Sequence, residues 1–537
     1  MTRVPFAKLV GAIHGGWRWW WDGTNSRDEL ARVALTLSIP LLLILWLYTL
    51  RHKTWKGTYP LPPGPRGLPF VGNLPFLGPN LHQCFSQYAR TYGPIFKLHL
   101  GNKLFVVVSS PSIAKEVYRE NDIIFSNHDQ PIAARVISYN GSNLVRCPYG
   151  PTWRMLRRVF VNELLNSRIL DARYSLRRLE IRRMVRNLYT KNGTAINVGE
   201  VAFATTLNLL TSMLCGGELE WETMGTEFRR AVVETVELMG RRNISDFFPF
   251  LAWFDLQGVE REIKERVSWL DRVYEAMIEE RVRLDGAVGE GGEKGEERKD
   301  ILSMLLRIRN DGDAEVPLTD ANLKGLITDL LVGGTNTTST TVEWVMAELM
   351  HHPDINRRAR QELAAVVGGP DAAVEESHVP RLKYLRAVIK EALRLHPVVP
   401  LLVPRVPSEP CVLGGGYLIP AGARVVTNVW AIHTDPWLWD SSAEFRPERF
   451  LNEGGGGGGG AEFRYFPFGA GRRRCAGLAL VERMLPLLVA TLLHAFEWRV
   501  PEGVELDLCE RPGVTMTKEK PVLAIPTPRF SNPDIYG

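Results

Sequence analysis

The sequence predicts a mainly α-helical protein with small β-sheets, preceded by a single N-terminal transmembrane helix. Three observations carry that expectation. Residues Val33 to Leu50 read VALTLSIPLLLILWLYTL without a charge, long helical patterns run from about Trp153 to Met350, and strand-like runs such as Leu104 to Val108 are short. With 537 residues, 45% of them hydrophobic and 23% charged, there is ample apolar surface to offset the entropy of ordering. A net charge of +5 on a chain of this size gives no reason to expect a nucleic-acid partner. The six cysteines include no CxxC pair, so a zinc ribbon or thioredoxin site lacks its spacing, and such sparse cysteines suit a reducing compartment.

Residues 1–32 form a leader and 33–50 the anchor, whose length at about 1.5 Å per residue covers most of a bilayer core. A cleaved signal peptide or a plastid transit peptide would be the plainer readings. The run starts late for a signal peptide, lacks an Ala-x-Ala site and ends in Arg51, His52 and Lys53. Against transit, the leader carries Asp22, Asp28 and Glu29, with Trp17, Trp19, Trp20 and Trp21 suited to a membrane interface. Basic residues on the two sides favour a cytosolic body by a small margin.

Residues 51–69 make a basic, proline-rich hinge, in which Pro60, Pro62, Pro63, Pro65 and Pro69 fix the backbone as a stiff, extended strut or a plain linker. The remaining body, 70–537, shows no internal repeat. Asp285 to Lys299, rich in Gly and Glu, and the run Gly454 to Gly460 read as solvent-exposed loop insertions.

Around Cys475 the chain reads FPFGAGRRRCAG and then continues as an apolar helical stretch, Leu478 to Leu493. Glycines allow a tight turn and close approach to a flat ligand. Arg472, Arg473 and Arg474 together with a helix N-terminus would favour a thiolate over a thiol. Taken alone a cysteine is usually an inert core residue, but this loop is highly specific. Phe468, Gly471, Arg473, Cys475 and Gly477 match F-x-x-G-x-R-x-C-x-G, and the stretch resembles the haem-binding loop of the cytochrome P450 family. Further matches in the same order extend the resemblance over nearly all of the chain beyond the leader.

The resemblance implies the P450 fold over 70–537 and makes Cys475 the proximal thiolate ligand of haem b iron. A thiolate donates electron density that favours oxygen–oxygen cleavage. Glu391 and Arg394 stand at i and i+3 of an ExxR helix, and Arg449 lies in Pro447-Glu448-Arg449-Phe450, which resembles the family's PERF segment. These three imply a buried structural triad. Trp153 and Arg157 match a W-R-x-x-R helix and, with Arg405 and Arg473, imply a cradle for the haem propionates, a task suited to guanidinium forks. Each arginine by itself would read as a solvated surface charge.

Asp320 to about Met350 reads as one long helix capped by Thr319, interrupted in composition by Gly333, Gly334 and a crowd of threonines. A kink or close helix packing would account for such residues, but the resemblance places them on the distal, oxygen side of the haem. Thr337 falls on the family threonine and Asn336 where the family usually has an acid. An amide orients water but does not titrate, so protons must come through water, Thr337 or another carboxylate.

The implied activity is insertion of one atom of O2 into a lipophilic small molecule of terpenoid or phenolic, flavonoid-like type. The resemblance also implies electrons from NADPH through a separate cytochrome P450 reductase, with which the lack of a convincing nucleotide-phosphate loop agrees. Arg472 and Arg474 could dock that acidic partner or simply aid solubility. Pocket walls are expected from Ile132 to Ser142, Leu330 to Gly334, Val398 to Val403 and near Val514. The aromatic segment Phe247 to Phe254 is either a membrane-dipping entrance or core. The expected location is the endoplasmic reticulum membrane, single-pass, with the catalytic domain cytosolic. Sequons at Asn140, Asn192, Asn243 and Asn336 would then go unused. Two other readings are a haem-thiolate isomerase or dehydratase of a peroxide, which needs no reductase, and a non-catalytic haem carrier or sensor. The latter lacks a histidine in better ligand context than Cys475, since His396 and His433 read as structural.

Overall fold

The computed structural model describes residues 59–216, 225–288, 300–311, 315–368, 372–451 and 463–530, together with Thr36, Ser38 and Leu42. The leader, nearly all of the anchor, residues 51–58 of the hinge and Gly454 to Gly460 lie outside the described residues. From Pro60 onward the proline strut is docked on the body. The carbonyl of Pro63 accepts from the amide of Lys97 (2.7 Å) and that of Pro60 from Leu418 (2.8 Å). Prolines lose the amide donor but keep the carbonyl, so Pro60 and Pro63 dock through their acceptors, while the Leu68 amide donates to the Gly72 carbonyl (2.9 Å).

The body is mainly helical. Its axis is the central helix Asp320–His351, which starts in a capping box: Thr319 Oγ1 accepts from the Asn322 amide, and Asn322 Oδ1 from the Thr319 amide (both 3.2 Å). It packs on Val198–Cys215, Lys383–Leu395 and Leu478–Ala495. Val198–Cys215 and Leu478–Ala495 are apolar and long enough to cross a membrane, yet both are mostly buried. Apolar all round, they are core helices. The central helix is a continuous α-helix through Gly333 and Gly334. Within it Thr335, Thr337 and Thr341 each donate to the carbonyl four residues back, at 2.6, 2.8 and 2.8 Å, which satisfies their hydroxyls without a partner outside the helix.

The sheets are peripheral. Five strands lie in the spatial order Ile95–Leu100, Lys103–Val108, Arg424–Thr427, Arg405–Val406, Asn127–His128. The first two form an antiparallel hairpin with Ile95 opposite Val108, and Lys103–Val108 pairs in parallel with Arg424–Thr427. Val106, Val107 and Val108 are fully buried, as expected of β-branched residues in an interior strand. A three-stranded sheet joins Ile196–Asn197 and Phe496–Arg499 to Leu523–Pro528 between them.

Two loop expectations need correction. The helix Val259–Val288 takes in residues 285–288, so the Gly- and Glu-rich insertion starts later than its composition suggests. Phe247 to Phe254 is not core: Ile244–Phe247 is a helical turn and Pro249–Phe254 a 3₁₀ turn, with Trp253 93% exposed and Phe250 and Phe254 also projecting outward. Only Phe247 packs inward, against the cluster around Phe85 and Phe96.

Candidate haem and substrate site

A cavity of about 310 Å³ lies between the central helix and the Cys475 loop. Its floor is Pro467 to Gly469 and Arg473 to Gly477, and its far wall includes Leu330, Gly333, Gly334, Thr337, Thr338 and Thr341. The loop reaches this place because Gly471, at φ +69°, turns where a Cβ would sit 2.6 Å from the carbonyl oxygen of Tyr118. The Cys475 amide donates to the Phe468 carbonyl (3.0 Å), closing the turn, and Gly477 caps the helix Leu478–Ala495.

The Cys475 thiol opens onto the cavity but is deep within the protein, and burial pushes its pKa up. The Gly477 amide, Arg157 and Arg474 oppose that shift without cancelling it. Of the three arginines expected to favour a thiolate, Arg474 does so, as does the amide at the helix N-terminus. Arg472 turns away to pair with Asp122 (2.7 Å), and Arg473 donates to the carbonyls of Ser126, Leu144 and Cys147.

Trp153, Arg157, Arg405 and Arg473 all line the cavity. The Trp153 indole donates to the Leu144 carbonyl (3.2 Å), and the Arg473 guanidinium stacks over its ring at 4.5 Å. Arg157 donates to the carbonyl of Arg474 (2.7 Å) and Arg405 to that of Ala470 (3.2 Å). Among the described residues no carboxylate accepts from any of these three arginines. Burial drives Arg473 down to about 9, reinforced by Arg405, and lowers Arg157 and Arg405 as well. A guanidinium keeps its proton in a protein, so that pressure is an unmet demand for negative charge. The two carboxylates of haem b would meet it, and the exposed sulfur opposite offers the fifth ligand. The residues present fit the group.

On the other wall the two glycines of the central helix differ. A Cβ at Gly334 would lie 2.8 Å from Cδ1 of Leu210, so this glycine allows close packing with Val198–Cys215. A Cβ at Gly333 would meet nothing within 4 Å. Thr337 faces the cavity, its hydroxyl donating to the Gly333 carbonyl and keeping its lone pairs. Asn336 does not line the cavity, and its Nδ2 is a buried donor without a partner.

Glu391, Arg394 and Arg449 meet away from the cavity. Arg394 grips Glu391 with two bonds of 2.8 Å, Arg449 Nε adds a third at 3.0 Å, and Arg394 also donates to the carbonyls of His433 and Ser442. His433 is buried with Nε2 accepting from the Phe466 amide (3.1 Å), and His396 pairs with Glu348 (2.6 Å).

Of the expected pocket walls, Leu330 to Gly334 contributes Leu330, Gly333 and Gly334, and Val398 to Val403 contributes Val398, Val399, Leu402 and Val403. The stretch Ile132 to Ser142 does not line the cavity. Ile132–Ile137 is a helix packed on Val259–Val288, and the next segment, Leu144 and Val145, forms the wall instead. Val514 lies against Gly240, away from the cavity. The lining residues that escaped the sequence reading include Leu144, Val145, Tyr118, His128 and Asp329. His128 is held neutral by burial and by Arg405, Arg473 and Arg146, with Nδ1 2.8 Å from the Val145 carbonyl. Asp329 has both oxygens engaged, by Asn143 Nδ2 and the Leu144 amide at 2.7 Å each, and burial raises its pKa to about 7. No motif singles out either residue, because only the folded loop brings them to the cavity.

Comparison with known proteins agrees with this geometry. The cytochrome P450 family model matches residues 62–525. A flavonoid 3'-monooxygenase of Crocosmia x crocosmiiflora is 39% identical over 93% of this chain and 98% of its own. A 3,9-dihydroxypterocarpan 6A-monooxygenase of Glycine max is 36% identical over 94% and 98%. A zebra fish cytochrome P450 solved with progesterone superposes with a TM-score of 0.71 at 27% identity, covering 83% of this chain and 99% of that one. Both plant relatives are named for oxygen insertion, which neither a peroxide isomerase nor a haem carrier performs. This chain belongs to the cytochrome P450 family and is a P450 monooxygenase.

Proposed function

We propose that the protein binds haem b through Cys475 and hydroxylates a phenolic, flavonoid-like molecule in the cavity above it, with electrons from NADPH delivered by a separate reductase. The observation that carries this is the pairing, across one cavity, of an accessible sulfur with three guanidiniums, one buried and two half-buried, from which no carboxylate among the described residues accepts. When bound, the haem supplies the redox chemistry that activates O2. Every other task falls to the chain's own side chains.

Arg157, Arg405 and Arg473 hold the propionates, with the Trp153 indole beside them. The Gly477 amide and Arg474 stabilise negative charge on the Cys475 sulfur, which iron would retain in place of the proton. Thr337 accepts a proton-bearing water on its free lone pairs and passes a proton by donating its own. Asn336, which does not line the cavity, takes no part in this relay. Asp329, tied up by two donors, is an anchor before it is an acid. The wall of Leu330, Val398, Val399, Leu402 and Val403 excludes water and suits an apolar ring system. The flavonoid preference rests on the relatives' names.

The exposed Phe250, Trp253 and Phe254, together with the apolar run 33–50, favour attachment to the endoplasmic reticulum membrane, the single anchor leaving the catalytic domain cytosolic. Arg472 and Arg474, exposed on the proximal side, suit an acidic reductase.

The test is a reconstituted assay with reductase, NADPH and a panel of flavonoids, pterocarpans and terpenoids, on protein first reduced under carbon monoxide. A thiolate-type Soret band that disappears in Cys475→Ala, with a hydroxylated flavonoid among the products, is the expected result. Imidazole-type absorption in the wild type would overturn the ligand assignment. Oxidation of terpenoids alone would overturn the substrate class.

A further inference from the structure

The peptide at Leu144 is held from both faces. Its amide donates to Asp329 of the central helix, while its carbonyl accepts from Trp153 and Arg473 on the propionate side. The neighbouring side chain Asn143 donates to the other Asp329 oxygen and accepts from the Arg146 amide (2.8 Å). Around this point Asn322 Nδ2 donates to the Ser142 carbonyl (2.7 Å), and a Cβ at Gly325 would lie 3.0 Å from Asn143 Cα. Asn322, Gly325 and Asp329 recur about one helical turn apart, so one face of the central helix grips the segment 142–144. Leu144 and Val145 are the wall that this grip fixes.

We propose that Asp329 is a specificity-determining positioning residue, which sets the distal cavity wall at Leu144 and Val145 through its hydrogen bonds from Asn143 Nδ2 and the Leu144 amide. The inference rests on the haem-monooxygenase reading of the cavity. The geometry has a consequence that a general structural role lacks. Both donors point at Asp329, so an acceptor is needed on each oxygen. Asp329→Asn puts an amide NH2 against one of them and leaves a buried donor facing a donor. Adding Asn143→Asp reverses the polarity of that contact: Asn at 329 then donates to Asp at 143 and still accepts from the Leu144 amide. The new carboxylate keeps an oxygen for the Arg146 amide.

The experiment titrates the haem-loaded protein with two azoles and follows the Soret shift. Clotrimazole carries aryl groups that reach the walls, whereas imidazole binds iron alone. For Asp329→Asn, clotrimazole is expected to bind about tenfold more weakly and imidazole within about twofold of wild type. Asp329→Asn combined with Asn143→Asp is expected to recover clotrimazole affinity to within about twofold. Unchanged clotrimazole binding in the single variant, an equal loss for both azoles, or no recovery in the double variant would each overturn the proposal. Asn143→Ala leaves the helix untouched and is expected to show the same selective loss in smaller measure. Equal affinity for clotrimazole in Asn143→Ala and wild type would count against the proposal even if Asp329→Asn failed to fold. No Soret response to either azole in the wild type would instead overturn the haem reading beneath it.

Discussion

Arg394 clasps Glu391 through two parallel hydrogen bonds of 2.8 Å, and both side chains are completely shut off from solvent. Removing one partner from such a pair strands the other charge where water does not reach it. Glu391→Ala leaves Arg394 and Arg449 without their common carboxylate, and the fold should lose about 3 to 5 kcal/mol. Chemical denaturation of the purified variant measures this. A loss below about 1 kcal/mol would mean that the carbonyls of His433, Ser442 and Glu444 hold Arg394 unaided.

Thr337→Ala removes a cavity hydroxyl and no packing partner that the haem needs. Haem content and the carbon monoxide spectrum should stay as in wild type, while NADPH is diverted to peroxide and product yield per NADPH falls severalfold. Unchanged yield would remove Thr337 from proton delivery.

At Gly471 a side chain meets both a left-handed backbone and the Tyr118 carbonyl. Gly471→Ala should therefore distort the Cys475 loop, at a cost of about 1 to 3 kcal/mol, and haem occupancy should drop. The ratio of Soret to protein absorbance reports it.

Burial and the nearby Arg394 push His433 down to about 3, and its Nε2 must stay bare to accept from Phe466. Its folded pKa lies below the unfolded value of about 6.5, so the unfolded chain binds the extra proton as pH falls. Stability should fall by on the order of 2 kcal/mol between pH 7 and pH 5 from this residue alone. His433→Gln should flatten that slope in denaturation curves, and an unaltered slope would contradict the assignment.

Topology has a direct check in the sequons. Asn243 is buried as a helix cap and Asn336 lies within the central helix, so neither is available for glycosylation once folded. Asn140 and Asn192 are exposed. Mass spectrometry on protein from a eukaryotic host should find both bare, and glycans there would place the body in the lumen.

The parts of this protein that sequence reading captured are those written as contiguous chemistry. The Cys475 loop, the ExxR spacing and the cap at Thr319 each fit within about a dozen residues, where local geometry fixes the outcome. What it missed depends on distant segments meeting. Leu144, Val145 and His128 look like ordinary loop residues until the central helix and the Cys475 loop enclose them. How the arginine run acts on Cys475 depends on the same thing. A run of three arginines says nothing about where their side chains turn, and two of the three turn to Asp122 and to main-chain carbonyls. The aromatic segment Phe247 to Phe254 showed its composition plainly but not its exposure, since rings suit a core and a lipid surface equally.

The unequal surroundings of Gly333 and Gly334 make the central helix a graded dial. A Cβ at 333 would meet no neighbouring protein atom, so Ala, Ser or Val there takes its room from the cavity that Gly333 lines, methyl by methyl, while the scaffold around it stands still. The same series at 334 would be absorbed first by Leu210 and the helix behind it. Two adjacent letters thus separate the evolution of what is accepted from the upkeep of what accepts it.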